Sequence, residues 1–268
     1  MNHDGNEHLY EGEYYLKLED ASIYYKVIGE GVPLFLLHGG PGFSHDYLLP
    51  HLVNLADEGF QLVFMDHRGG GRSAEPYHEA TIKLDMLVED IESLRVELGL
   101  QQINIIGHSF GGIVAVQYAL KYGDCLNKMV LCNCASFVQS LSIEGERVRA
   151  QHMQELEHPL LAFFHNPMNL SQLIPGPHFM NEQYYGLTSS KLGADSFHTV
   201  ESIRLGDVQA TTLIIHGRED FIPCAASAYL ANRIPNSRLH YVEECGHFAF
   251  IEQNEEVNTL ISLFLKDL

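Results

Sequence analysis

The chain has 268 residues, 46% of them hydrophobic and 19% charged. That is ordinary globular composition on a length that buries a large core, so disorder as the main state and a core that depends on staples are both excluded. Sixteen basic against thirty-five acidic residues leave a formal charge of −19, which repels phosphate backbones and anionic membranes and excludes nucleic acid as the main partner.

The longest apolar runs, such as residues 32–37, are far too short to span a bilayer. Residues 1–13 are polar and acidic and do not read as a signal peptide. The cysteines are Cys125, Cys132, Cys134, Cys224 and Cys245, an odd number without a C-x-x-C pair. A disulfide framework is not expected, the thiols read as buried or half-buried, and the expected compartment is the cytoplasm. Cys132-Asn133-Cys134 has one residue between thiols, which is poor zinc spacing.

In chain order, residues 13–18 and 22–28 alternate and read as an antiparallel pair turning at Glu19-Asp20. Residues 32–37 form a continuous apolar run, and 48–56 read as helix. A buried strand follows at 61–65. Leu87, Ile91, Leu94 and Leu98 keep helical spacing. Residues 102–106 are a strand, 113–122 a helix and 128–132 a strand. From 137 to 206 there are helical charge patterns, prolines and aromatics but no strand. Strands return at 211–216 and 237–242. Val257, Leu260, Ile261, Phe264, Leu265 and Leu268 then make one helical stripe. Apolar strands separated by helices predict a doubly wound, mostly parallel α/β sheet of eight strands covered on both faces. The predicted core is 1–136 with 207–268, and 137–206 a helical cap, since so long an insertion between strands is usually a lid.

Gly107-His108-Ser109-Phe110-Gly111 fits G-x-S-x-G. The pattern alone is weak, but here it joins a predicted strand to a predicted helix. A serine in that tight turn is held in a strained conformation with its hydroxyl exposed at the sheet edge. A hydroxyl needs a base to take its proton. On such a sheet the acid should follow the strand 211–216, where Asp220 lies with Glu219 as its rival. The base should follow 237–242, where His247 lies. His108 adjoins the serine but should point away from it, as packing or orientation. The oxyanion donors expected are the N–H of Phe110 and that of Gly40, in His38-Gly39-Gly40-Pro41-Gly42. Gly39, Phe221 and Phe248 adjoin these groups and are expected to contact substrate. Residues 66–73, Asp66-His67-Arg68-Gly69-Gly70-Gly71-Arg72-Ser73, lack the Gly-Lys-Ser/Thr ending of a phosphate loop and read as a structural turn beside the site. Glu155-x-x-His158 has helical metal-ligand spacing but sits beside Pro159 without partners, so no metal and no cofactor is expected.

With these residues in place, the chain resembles the α/β-hydrolase superfamily over nearly its whole length. The loops 38–42 and Asp66-x-Arg68-Gly69-x-Gly71-Arg72-Ser73 resemble those of the proline iminopeptidase branch. Gly42-Phe43-Ser44-His45-Asp46-Tyr47-Leu48-Leu49 is similar to the tricorn-interacting aminopeptidases of that branch. The resemblance implies Ser109 as nucleophile, Asp220 as acid, His247 as base and Gly40 with Phe110 as oxyanion hole. Two features depart from the branch: the cap is smaller, and the position after the acid, often acidic in tricorn-type members to hold a substrate amine, is Phe221. Cap glutamates Glu144, Glu146, Glu155 and Glu157 are other candidates for an amine, against a reading as a solvated helix face.

The function expected is therefore a serine hydrolase acting through an acyl-enzyme on a small molecule or short peptide, as a proline iminopeptidase-like aminopeptidase or as a carboxylesterase. The alternative of another class is a non-catalytic small-molecule binder on the same fold. Oligomeric state is not legible in the sequence.

Overall fold

The structure, a computed structural model, describes residues 10–156, 158–173, 176–200 and 204–267, without the side chains of 155, 159 and 194–200. Residues 1–9, Glu157 and Leu268 lie outside the described residues.

Eight strands form one sheet: β1 (Gly12–Lys17), β2 (Ser22–Ile28), β3 (Val32–Leu37), β4 (Phe60–Met65), β5 (Ile103–His108), β6 (Leu126–Cys132), β7 (Thr211–Gly217) and β8 (Ser237–Val242). Their order is β1-β2-β4-β3-β5-β6-β7-β8. β1 pairs β2 and β2 pairs β4 antiparallel, and the other pairings are parallel. This is the mostly parallel eight-stranded arrangement that the alternation of apolar runs predicts.

The helices are α1 (Leu49–Leu52), α2 (Leu84–Glu97), α3 (Phe110–Lys121), α4 (Gln139–Glu155), α5 (Tyr185–Val200), α6 (Cys224–Ala231), α7 (Ala249–Glu252) and α8 (Asn254–Lys266). Successive side chains of β3 enter opposite cores, because strand side chains alternate between faces. Phe35 and Leu37 pack with Leu87, Ile91, Val114 and Tyr118 of α2 and α3. Leu34 and Leu36 pack with Phe250, Val257 and Ile261 of α7 and α8. Such burial is worth roughly 1.5–3 kcal/mol per large apolar side chain, which fixes the sheet as a rigid platform.

The segment predicted as helix over 48–56 is broken into α1 and a 3-10 run, Val53–Glu58. Pro50 lacks an N–H and suits only the first turn of a helix, and Gly59 closes the run in the left-handed region at φ 90°. The helix expected from 113 begins at Phe110, directly after the serine. Between β6 and β7 the described chain contains α4, α5 and 3-10 turns, with one isolated bridge, Phe43 to Met180.

The turn at 66–73 is structural. Arg68 makes a two-pronged ion pair with buried Asp90, at 2.7 and 2.6 Å, and bonds Asp20 at 2.9 Å. Asp66 accepts the N–H groups of His45 and Arg72. All five cysteines are free, with Cys132, Cys134 and Cys245 buried. No helix among the described residues is long and apolar enough to cross a membrane.

Candidate active site

Ser109, Asn133, Asp220 and His247 all lie just beyond the carboxyl ends of strands, where parallel sheets gather their functional loops. Ser109 has φ 52° and ψ −118°, a strained backbone for a residue with a Cβ. The strain is held by three bonds: Ser109 N–H donates to Cys132 O at 3.1 Å, and its carbonyl accepts from Gly112 and Ala135 at 3.0 Å each. Gly107 lets the strand pass close to α3, since a Cβ there would meet the Gly111 carbonyl at 2.5 Å.

Ser109 Oγ lies 3.0 Å from His247 Nε2, and His247 Nδ1 lies 3.0 Å from both carboxyl oxygens of Asp220. A carboxylate only accepts, so Nδ1 carries the proton and Nε2 presents its lone pair to the serine hydroxyl. The three side chains expected from the sequence thus form one continuous hydrogen-bonded line. Burial alone would raise the Asp220 carboxyl; the His247 ring, His216 and the amide of Asn133 overcome it and hold the group below the usual carboxylate range. Glu219, the rival acid, instead accepts the N–H of Cys245 at 2.9 Å and clamps the loop before His247.

Gly40 has φ 47° and donates no backbone hydrogen bond to another described residue. Phe110 is the first residue of α3, so its N–H has no acceptor within the helix. Both line a cavity of about 340 Å³ above Ser109, as do Phe221 and Phe248. Gly39 does not line it. It sits behind the serine, where a Cβ would come within 2.7 Å of Ser109 Cβ, so its place is close packing rather than the cavity wall. His108 is buried and bonds away from Ser109, to Tyr47 and the His247 carbonyl.

The cavity wall is mainly aromatic and aliphatic. Its charged side chains, among the described residues, are Glu146 and Arg149 of α4. They are bonded to each other, with Arg149 Nε 2.9 Å from Glu146 Oε2. The guanidinium also lies 5.7 Å from the Phe163 ring centre and 6.0 Å from that of Phe221. Glu144 is exposed outside the wall; the Glu155 side chain and Glu157 lie outside the described residues.

Two contributors were not read from the sequence. Asn133, with φ 46°, donates to Asp220 Oδ2 at 2.8 Å and to Gly246 O at 3.0 Å. Asparagine just past a buried strand is a signal for a left-handed position, which the reading of 132–134 as a thiol pair passed over. Glu252 accepts the N–H of Gly246 at 2.7 Å and that of Asn166 at 3.0 Å, joining the base loop to the segment before β7.

Comparison with known proteins agrees with this geometry. Residues 32–149 match the family described as the alpha/beta hydrolase fold. The chain is 28% identical to a proline iminopeptidase of Thermoplasma volcanium, over 94% of this chain and 96% of the relative. It is 29% identical to a proline iminopeptidase of Saccharolobus solfataricus, over 94% and 92%. An alpha/beta hydrolase fold protein from Chitinophaga pinensis superposes with a TM-score of 0.81 at 19% identity, covering 98% of this chain and all, 100%, of that one. The protein has the α/β-hydrolase fold. Its likeness to proline iminopeptidases extends over nearly the whole chain.

Proposed function

We propose that this protein is a cofactor-independent serine hydrolase that cleaves a small amide or ester through an acyl-enzyme. The observation that carries the reading is the unbroken line from Ser109 Oγ through His247 to Asp220. Ser109 attacks the substrate carbonyl while His247 Nε2 takes its proton and Asp220 steadies the resulting imidazolium. The carbonyl oxygen, now an anion, accepts from the N–H groups of Gly40 and Phe110. His247 then protonates the leaving group, and water releases the acyl group by the same steps in reverse roles. Residues 137–206 act as the cap that closes over the reacting carbonyl, and Phe221 and Phe248 contact the substrate. The free thiols and acidic surface suit a cytoplasmic enzyme.

Within this class the relatives favour a proline iminopeptidase-like aminopeptidase on small peptides, with Glu146 in the cavity wall as the group to meet a free amine. A second reading, carboxylesterase, is favoured by the mainly apolar wall and by Arg149 already occupying Glu146. Proline and alanine arylamides assayed beside short p-nitrophenyl esters separate the two. An aminopeptidase must also reject N-acylated arylamides. A serine-directed fluorophosphonate should label the wild type and not Ser109→Ala. A wild type that takes no label under conditions where it remains folded overturns the hydrolase reading and leaves a binding protein.

A further inference from the structure

We propose that Tyr47 and His108 are positioning residues that lock the oxyanion loop, the nucleophile elbow and the base loop into one register; this rests on the serine-hydrolase reading above. Tyr47 belongs to the segment 42–49, whose likeness to tricorn-interacting aminopeptidases the catalytic line leaves unused. Its hydroxyl stands 2.6 Å from Gly39 N and 2.7 Å from His108 Nδ1. His108 Nε2 stands 3.0 Å from the carbonyl oxygen of His247. Tyr47 and His108 are 1% and 2% exposed, so solvent supplies no substitute partners.

The direction of every bond in this chain is fixed. The His247 carbonyl can only accept, so His108 carries its proton on Nε2. Burial holds the His108 imidazole well below its ordinary range, so the ring is neutral and Nδ1 is an acceptor. Tyr47 therefore donates its hydroxyl proton to Nδ1, and its lone pair accepts from Gly39 N–H. The relay runs from Gly39 through Tyr47 and His108 to the backbone of His247.

Its ends are the two places where the reaction needs placement. Gly39 precedes the oxyanion donor Gly40; its own N–H is spent on Tyr47, while Gly40 lines the cavity and its N–H donates to no other described backbone group. The other end holds the backbone of the base. The Tyr47 ring is itself wedged at 5.8 Å from Phe248 and 6.1 Å from Phe250, which follow the base in sequence. A one-ångström drift of an oxyanion donor is enough to lose much of its effect.

The test uses Tyr47→Phe, His108→Leu, His108→Gln and the double Tyr47→Phe/His108→Leu variant. Active sites are counted with a fluorophosphonate, and p-nitrophenyl acetate turnover is measured per active site. Tyr47→Phe should lower kcat by roughly 10- to 100-fold with KM within about twofold, the signature of a lost transition-state contact. A merely structural role would lower the count of active sites and the Tm and leave the rate per site unchanged. His108→Gln, whose amide can accept and donate in place of the ring, should keep most of the rate that His108→Leu loses. The double variant should be no slower than the slower single one. Wild-type kcat per site in Tyr47→Phe, or losses that multiply in the double variant, overturns the proposal. If Tyr47→Phe does not fold, equal impairment of His108→Gln and His108→Leu overturns it. Failure of the wild type to label at all brings down the serine-hydrolase reading instead, and the relay with it.

Discussion

Asn133 holds the carboxylate of Asp220: its side-chain amide donates at 2.8 Å to Oδ2, the oxygen that also faces His247 Nδ1, from a backbone at φ 46°. The second amide hydrogen goes to the carbonyl of Gly246, immediately before the base. One side chain thus fixes Asp220 and the loop that carries His247. Asn133→Ala takes one donor from each of these two buried acceptors, a cost of about 1–3 kcal/mol. The expected result is a fall in kcat of about tenfold with a lower Tm. Asn133→Gly relieves the backbone but not the missing amide, so it should recover Tm more than kcat. Full activity in both variants would remove Asn133 from the acid's support.

The carboxyl of Asp220 keeps its charge below the usual carboxylate range. Asp220 is held below the usual carboxylate range, with the His247 ring as the largest favourable influence against the cost of burial. A depressed folded-state pKa means that its stabilising contribution is present above the unfolded value and is lost only as pH falls through the folded one. Asp220 is therefore ionised wherever the enzyme works. Unfolding followed by circular dichroism should show the stability contributed by the Asp220 carboxylate intact down to the usual carboxylate range and lost only below it. Loss of that stability already above the usual carboxylate range would contradict the charge assigned to Asp220.

The pair Glu146–Arg149 makes specificity adjustable from the cap. With Arg149 bonded to Glu146, an entering amine must displace a guanidinium held over two aromatic rings. Arg149→Gln frees the carboxylate, and kcat/KM for alanine and proline arylamides should rise by roughly 3- to 10-fold, in line with the modest worth of an exposed pair. Glu146→Gln should depress the same substrates and leave p-nitrophenyl acetate within about twofold. If both variants leave the ratio of amine to ester rates unchanged, the amine does not meet Glu146.

Much of this was legible in the sequence for a simple reason. Apolar runs such as 34–37 and 103–106 are buried on both faces, so they lack alternation and declare a covered parallel sheet. Ser109, Asp220 and His247 follow strands whose order alone brings their ends together. What escaped depends on side-chain direction. Nothing in the spacing places the Asn133 amide on Asp220, or Tyr47, sixty-one residues upstream of His108, against its ring. Gly39 is expected to contact substrate because it adjoins Gly40, whereas it packs behind the serine, close to Ser109 Cβ. The helix expected at 48–56 starts at Leu49 with Pro50 in its first turn and gives way to a 3-10 run at Val53.

Two glycine substitutions separate close approach from mere flexibility. Gly217 ends β7 against the base loop, and a Cβ there would lie 2.2 Å from the carbonyl oxygen of Gly246 and 2.4 Å from that of Cys245. Both are backbone atoms and cannot swing aside as a side-chain tip would. Gly217→Ala must therefore push the loop carrying His247 away from β7, at roughly 1–3 kcal/mol, the range for overpacking. For a chain of this length that lowers Tm by roughly 2–4 °C per kcal/mol. Because the loop carries the base, kcat should fall as well. Gly186, in α5, has nothing within 4 Å of the same added atom. Gly186→Ala, at the second position of α5, loses backbone freedom only in the unfolded chain and should leave stability equal or raised by up to about 0.5 kcal/mol, with unchanged kcat. Differential scanning calorimetry with turnover on one ester distinguishes the two directly: a Gly217→Ala variant as stable and as fast as wild type would mean that β7 and the base loop are not packed this closely in solution.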